Sequence, residues 1–140
     1  MDTSSMQLSD TVRRFLQEKR FAVLATIGRD GVPQQTVMWY ELRGDTIVMN
    51  TAAGRAKDTY LRRDPRASIC VEDGYRFVTL SGTIQMIEDQ ETAQEDIFRL
   101  AVRYNGEDSA AQQVRESFSK QLRITLHLPI ERAILRGFDG

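Results

Sequence analysis

Hydrophobic residues change their spacing repeatedly along this 140-residue chain, and the changes divide it into a helix, a sheet, a helical pair and a return to sheet. Near the start, Val12, Phe15, Leu16 and Lys19 fall on one helical stripe, with Ser9 placed to cap the helix and Asp10 to meet its positive end. From Phe21 the period is two. FAVLATI (21–27) predicts a strand, Gly28 to Gly31 a hairpin turn, and QQTVMWYEL (34–42) the returning strand. Pro33 stands at that strand's entrance, where a missing N–H does least harm. Arg43-Gly44-Asp45 predicts the next turn and TIVMNT (46–51) a third strand. After a basic loop and a short helix, Asp64-Pro65 marks a stop, ASICVED (67–73) a fourth strand, and Gly74 a turn into a long fifth strand over 76–88.

The period then lengthens to about 3.6. Ala93, Ile97, Leu100, Ala101 and Tyr104 share one helix face that begins at Asp89 or Thr92. Ala111, Val114 and Phe118 mark a shorter helix beyond Asn105-Gly106, after which LRITLHLP (122–129) and ERAILRGF (131–138) are extended again. About six strands joined mainly by hairpins, with helices at the edges, predict a β-rich α+β protein built on a small antiparallel barrel, not a doubly wound parallel sheet.

An apolar share of 41% and a charged share of 28% fit one soluble globular domain over residues 1–140, with room for one core. Disorder is expected only in the leading MDTSS. There is no charged leader before an apolar run and no stretch approaching about 18 apolar residues. Neither a signal peptide nor a membrane span is therefore expected, and cytoplasm is the default location. Cys70, the one cysteine, lies between Ile69 and Val71 and is expected to be a buried small hydrophobe.

Charge singles out one segment. Between Gly54 and Arg66, five cations (Arg55, Lys57, Arg62, Arg63, Arg66) face two acids (Asp58, Asp64), a local balance of +3 in a chain of net charge −1. A basic island in a mildly acidic protein suits one anionic ligand; a nucleic-acid binder would spread its positive charge over a whole face. A strand end that opens through a small-residue loop into a helix start presents backbone N–H groups, to which Arg55 and Lys57 would add charge-assisted bonds to phosphate or carboxylate. Arg62 and Arg63 are open to a plainer reading as solvated helix residues, with Asp58 and Arg62 an i,i+4 pair.

Other chemistries lack a framework. One histidine, His127, and one cysteine, without H-x-x-x-H or C-x-x-C spacing, exclude a soft-ligand metal site, and His127 between Leu126 and Leu128 is expected to be structural or exposed. Neither a Walker motif nor G-x-G-x-x-G occurs. Glu88, Asp89 and Glu91 sit at a strand-to-helix junction and fit caps better than paired catalytic carboxylates. The remaining chemistry is that of a bound cofactor, with the protein supplying binding, orientation and electrostatics.

FAVLATIGRDGVPQQTVMWYEL, then GRAKDTYLRRDPRASICV, then FVTLSGTIQMIED resemble the flavin- and deazaflavin-binding split β-barrel family typified by pyridoxamine 5′-phosphate oxidase. The likeness runs from about Phe21 to Asp89, with a weaker echo in ITLHLPIERAILRGF, and its most specific part is Arg55-x-Lys57 followed by Asp64-Pro65. The resemblance implies a homodimer of split barrels with the cofactor in a groove between subunits and the basic pair on its phosphate. Tight FMN-binding oxidases carry further basic residues on the strand before the third, and a longer C-terminal segment; QQTVMWYEL and the end at Gly140 depart from both, so vitamin B6 oxidation is not expected. LATIGRDGVPQ, GRAK and LRRDPRAS are more similar to the branch that uses the 5-deazaflavin coenzyme F420, with FMN the alternative cofactor. On that resemblance Gln34, Thr36 and Met38 lie beside the tricyclic ring, and Asn50 and Thr51 near the ribityl chain or phosphate. Arg55, Ala56, Lys57, Arg62 and Arg63 lie along the anionic tail, and Trp39 or Tyr40 in the core or dimer interface. The implied activity is hydride transfer between F420 and an unsaturated small organic substrate. An FMN reductase of the same fold and a non-catalytic cofactor-binding protein remain alternatives, and neither nucleic acid nor membrane is expected as a partner.

Overall fold

The computed structural model describes residues 7–138, so the expectation for MDTSS lies outside the described residues. The elements are α1 (Asp10–Gln17), β1 (Ala22–Ile27), β2 (Pro33–Met38), β3 (Glu41–Arg43), β4 (Thr46–Ala52), α2 (Ala56–Arg63), β5 (Arg66–Glu72), β6 (Phe77–Thr83) and β7 (Gln85–Ile87). They continue with α3 (Gln90–Asn105), α4 (Glu107–Glu116), a 3-10 turn (Phe118–Lys120), β8 (Arg123–Pro129) and β9 (Arg132–Arg136). Two antiparallel sheets result, ordered β2-β1-β5-β6-β9 and β3-β4-β8-β7. This is the split β-barrel expected from the sequence, with its two sheets not closed on each other.

Two runs expected as single strands are each bent between the sheets. Residues 34–42 divide at Trp39-Tyr40 into β2 and β3, and residues 76–88 divide at Ile84 into β6 and β7. Each corner is held by bonds outside the ladder: the Tyr40 amide donates to Tyr104 Oη at 3.1 Å, the Tyr40 hydroxyl donates to the Leu16 carbonyl at 2.7 Å, and the Ile84 amide donates to the Pro65 carbonyl at 2.8 Å. Tyr40 and Ile84 are both buried there, so the inward-outward alternation runs through each corner without interruption. Where β6 passes the end of β8, Gly82 lies so close that a methyl group there would clash with the Pro129 carbonyl oxygen.

The core lies between the sheets. Leu24, Ile69, Val78 and Leu80 come from the five-stranded sheet, and Ile47, Met49, Ile124, Leu126 and Leu128 from the other. Helix α1 closes one end with Phe15 and Leu16. Its Ser9 hydroxyl accepts the Val12 amide as expected, but the helix stops at Gln17, leaving Lys19 beyond it and exposed. Helix α3 packs on β4 and β8. In α4 the fully buried residue is Ala110, one position from the stripe expected over Ala111, Val114 and Phe118, which are half-buried.

Cys70 corrects another expectation. It is half-buried, because the alternation of β5 turns Ile69 and Val71 inward and Cys70 outward. There it lies in a cross-strand row with Val37, Val23, Thr79 and Ile134. Among the described residues no helix is long and apolar enough to cross a membrane.

Candidate anion and cofactor site

The basic segment begins where β4 ends. Gly54, with φ +87°, turns the chain outward after Ala52, and Arg55 takes the N-cap position of α2 in extended backbone, without a capping side-chain bond of its own. Asp58 supplies the local acceptor: one carboxylate oxygen accepts the Gly54 amide and the other Arg62 Nε, both at 2.6 Å. One amide of the proposed anion cradle is thus already satisfied by the chain itself.

The island then divides by partner. Arg62 bonds Asp58 and also Glu88, with Nη2 to Oε1 at 2.6 Å, so it is neutralised from two sides. Arg66 closes on Asp64, and Arg63 donates to the Ile27 carbonyl at 3.1 Å with its guanidinium 5.8 Å from the Tyr60 ring. Among the described residues no carboxylate pairs with Arg55 or Lys57.

A third cation joins them from a strand late in the chain. Arg123 opens β8 and is only 5% exposed, yet no carboxylate among the described residues reaches it. Its Nε donates to Asn50 Oδ1 at 2.9 Å and its Nη1 to Gln121 Oε1 at 2.7 Å, with the guanidinium 5.0 Å from the Phe118 ring. Gln90 holds the same strand end, accepting the Arg123 amide and donating to its carbonyl, both at 2.9 Å. Burial, then the charge of Arg55, pulls the Arg123 guanidinium down to about 10. Burial lowers Lys57 as well, followed by Arg55 and Arg123. Three cations therefore crowd one place with no paired acid among the described residues, an arrangement that an anion would relieve.

Beside them opens a cleft of about 210 Å³ whose walls include Met38, Trp39, Asn50, Arg55, Phe118 and Arg123. Of the residues expected at the site, Met38, Asn50 and Arg55 line this cleft, and Lys57 adjoins it through its charge. Gln34 and Thr36 share the Met38 face of β2 and run outward from the cleft along an exposed edge strand. Thr51 is buried on the barrel side of β4 with Ile47 and Met49, while Asn50 faces α3. Ala56 is exposed in the first turn of α2, and Arg62 and Arg63 stand outside the group. Tyr40 is core; Trp39 is half-buried and stacks on Tyr104 at 5.3 Å.

Sequence reasoning missed Arg123 and Phe118. The available signal was the stripe Arg123, Thr125, His127 alternating with Ile124, Leu126 and Leu128, which puts a buried arginine on the helix-covered face of a strand. His127 is half-buried on the same face of β8; burial lowers its pKa, and among the described residues its buried Nε2 has no hydrogen-bond partner. Asp89 caps α3 as expected, accepting the Thr92 amide at 3.1 Å and hydroxyl at 2.8 Å, and both bonds lower its pKa. Among the described residues no group of three His, Cys, Asp or Glu could hold a metal ion.

Two open antiparallel sheets with a cationic cleft at their edge, lined by no carboxylate among the described residues, define a split barrel. Residues 8–131 match the family model described as pyridoxamine 5′-phosphate oxidase, and the chain belongs to that family. A conserved hypothetical protein from Mycobacterium tuberculosis is 29% identical, with a TM-score of 0.79 over 97% of this chain and 88% of that one. An F420 reductase is 19% identical, with a TM-score of 0.73 over 91% and 98% of the two chains. The heme storage protein HutZ from Vibrio cholerae is 20% identical, with a TM-score of 0.71 over 95% and 97%. These last two share the fold.

Proposed function

We propose that this chain is an F420-dependent oxidoreductase that passes a hydride between the deazaflavin and an unsaturated organic substrate. The observation that carries the reading is the set Arg55, Lys57 and Arg123, three cations at one cleft with no carboxylate partner among the described residues. Their chemistry fits a cofactor with several negative charges, such as the phosphodiester and glutamate tail of F420, more fully than it fits a single phosphate monoester. Similarity in fold to an F420 reductase supports the same reading.

When bound, F420 supplies the hydride chemistry, and the substrate's proton comes from solvent. The protein's residues bind and orient. Arg55 and Lys57 hold the anionic tail, Arg123 anchors it at the cleft floor, and Met38 and Trp39 form an apolar wall that excludes water beside the ring. Titration with F420 and with FMN, followed through Trp39 fluorescence, tests this directly. F420 should bind more tightly, and binding should weaken as salt rises because Arg55 acts across solvent. Equal or reversed affinities would replace the reading with an FMN-binding one.

A homodimer belongs to the same proposal. The cleft of about 210 Å³ is smaller than the ~300–1,000 Å³ usual for sites that bury a ligand, so a second copy is needed to complete its walls. The outer face of the five-stranded sheet, where Val37 is 66% and Ile134 56% exposed, offers the apolar surface. Light scattering should give twice the 16.0 kDa chain mass. A monomer that still binds cofactor tightly would end the shared-cleft idea.

A further inference from the structure

Behind the cleft a chain of hydrogen bonds runs from Arg123 to α3. Arg123 Nε donates to Asn50 Oδ1 at 2.9 Å, Asn50 Nδ2 donates to Thr125 Oγ1 at 3.3 Å, and the Thr125 hydroxyl donates to Asp96 Oδ2 at 2.7 Å. The direction of every link is determined. The Asn50 amide also donates to the Ala93 carbonyl at 2.9 Å, which can only accept, while Arg123 Nε can only donate. The Asn50 amide therefore has one orientation that satisfies both ends. Because Thr125 Oγ1 accepts from Asn50, its single proton is left for Asp96. All three links point from a cation to a carboxylate, and all four residues are at most 6% exposed. In such surroundings consecutive hydrogen bonds polarise one another.

Asp96 does not touch the cleft; its other oxygen accepts Arg43 Nη2 at 2.7 Å. We propose that Asp96 and Thr125 are positioning residues for Arg123, acting through Asn50 to hold its guanidinium in the orientation that meets the cofactor's anionic group. Gln121 Oε1, which accepts Nη1, and the Phe118 ring beside the guanidinium fix its outer end, and the relay fixes Nε. Arg123 is thereby tied to a carboxylate three links away, where it cannot form the close ion pair that would take it out of use as an anion receptor.

The inference rests on the reading that Arg123 binds cofactor, and the experiment separates the two. Affinities for F420 and FMN are measured for Thr125→Val, Thr125→Ser, Arg123→Gln and the Thr125→Val/Arg123→Gln pair. Thr125→Val should weaken binding about tenfold, the equivalent of one hydrogen bond. Thr125→Ser, which keeps the hydroxyl, should restore affinity to within about twofold, and Thr125→Val should cost nothing further once Arg123 is gone. An undiminished cost in the Arg123→Gln background, or no cost in the native one, overturns the relay. If the native protein binds neither cofactor, the functional reading fails while the relay is still judged by NMR. Solvent exchange of the Arg123 Nε–H should quicken about tenfold or more in Thr125→Val as the chain loses a link. An unchanged exchange rate would overturn it.

Discussion

Asp96→Ala is expected to lower folding stability by about 3 kcal/mol, near the lower end of the ~3–5 kcal/mol range for breaking a buried ion pair from one side. Asp96 is 4% exposed and accepts bonds from Arg43 and Thr125, so its loss leaves the fully buried Thr125 hydroxyl without an acceptor. Arg43 keeps Glu41 and some contact with water, which holds the cost below the top of the range. Asp45→Ala is the matched control: it removes the partner of Arg13 in a half-exposed pair, where about 0–1 kcal/mol is at stake. Urea denaturation should show a clear fall in midpoint for Asp96→Ala at constant slope, and little change for Asp45→Ala. A loss below about 1 kcal/mol at Asp96 would mean that the seating of α3 on β8 does not depend on this carboxylate.

The partners of that buried carboxylate were hidden from the sequence, and so was much of the site, for a common reason. Features governed by neighbours along the chain were legible. Ser9 and Asp89 cap the helices they precede, Gly54 turns where a positive φ is needed, and Arg55-x-Lys57 stands at a helix start. The sheet corners were not legible, because a strand bent at Tyr40 or Ile84 keeps its alternation and is held there by Tyr104 or Pro65, far away in sequence. Arg62 was ambiguous because its second acid, Glu88, lies 26 residues on. Arg123 escaped notice because Asn50, which orients it, is 73 residues away, and Arg55 becomes its neighbour only when β4 pairs with β8. Local charge counting found the island, but partner assignment in three dimensions decides which of its cations are free to bind.

The same assignment sets the expected outcome at the site itself. Lys57→Ala and Arg55→Ala should each cost about 1.5–3 kcal/mol of F420 binding, the range for hydrogen bonds to charged groups. That is roughly ten- to a hundredfold in affinity. Folding stability should hold or rise slightly, since Lys57 has no acidic partner in the described structure and lies against two other cations. The sign follows from the depressed pKa: the folded state disfavours protonated Lys57, so removing that charge relieves the apo protein below the folded pKa. The benefit fades as pH rises through that value toward the ordinary lysine range, because the native side chain is then neutral. Arg14→Ala, an exposed cation on α1, should leave affinity within about twofold, as a remote charge is screened beyond about 10 Å at 0.1 M salt. Arg62→Ala discriminates most sharply between an unpartnered and a neutralised cation. Tied to Asp58 and Glu88, Arg62 should matter less for binding than Lys57, by about a factor of ten. Equal losses at Lys57 and Arg62 would show that the ligand draws on the whole basic segment and not on the three cations that have no carboxylate among the described residues.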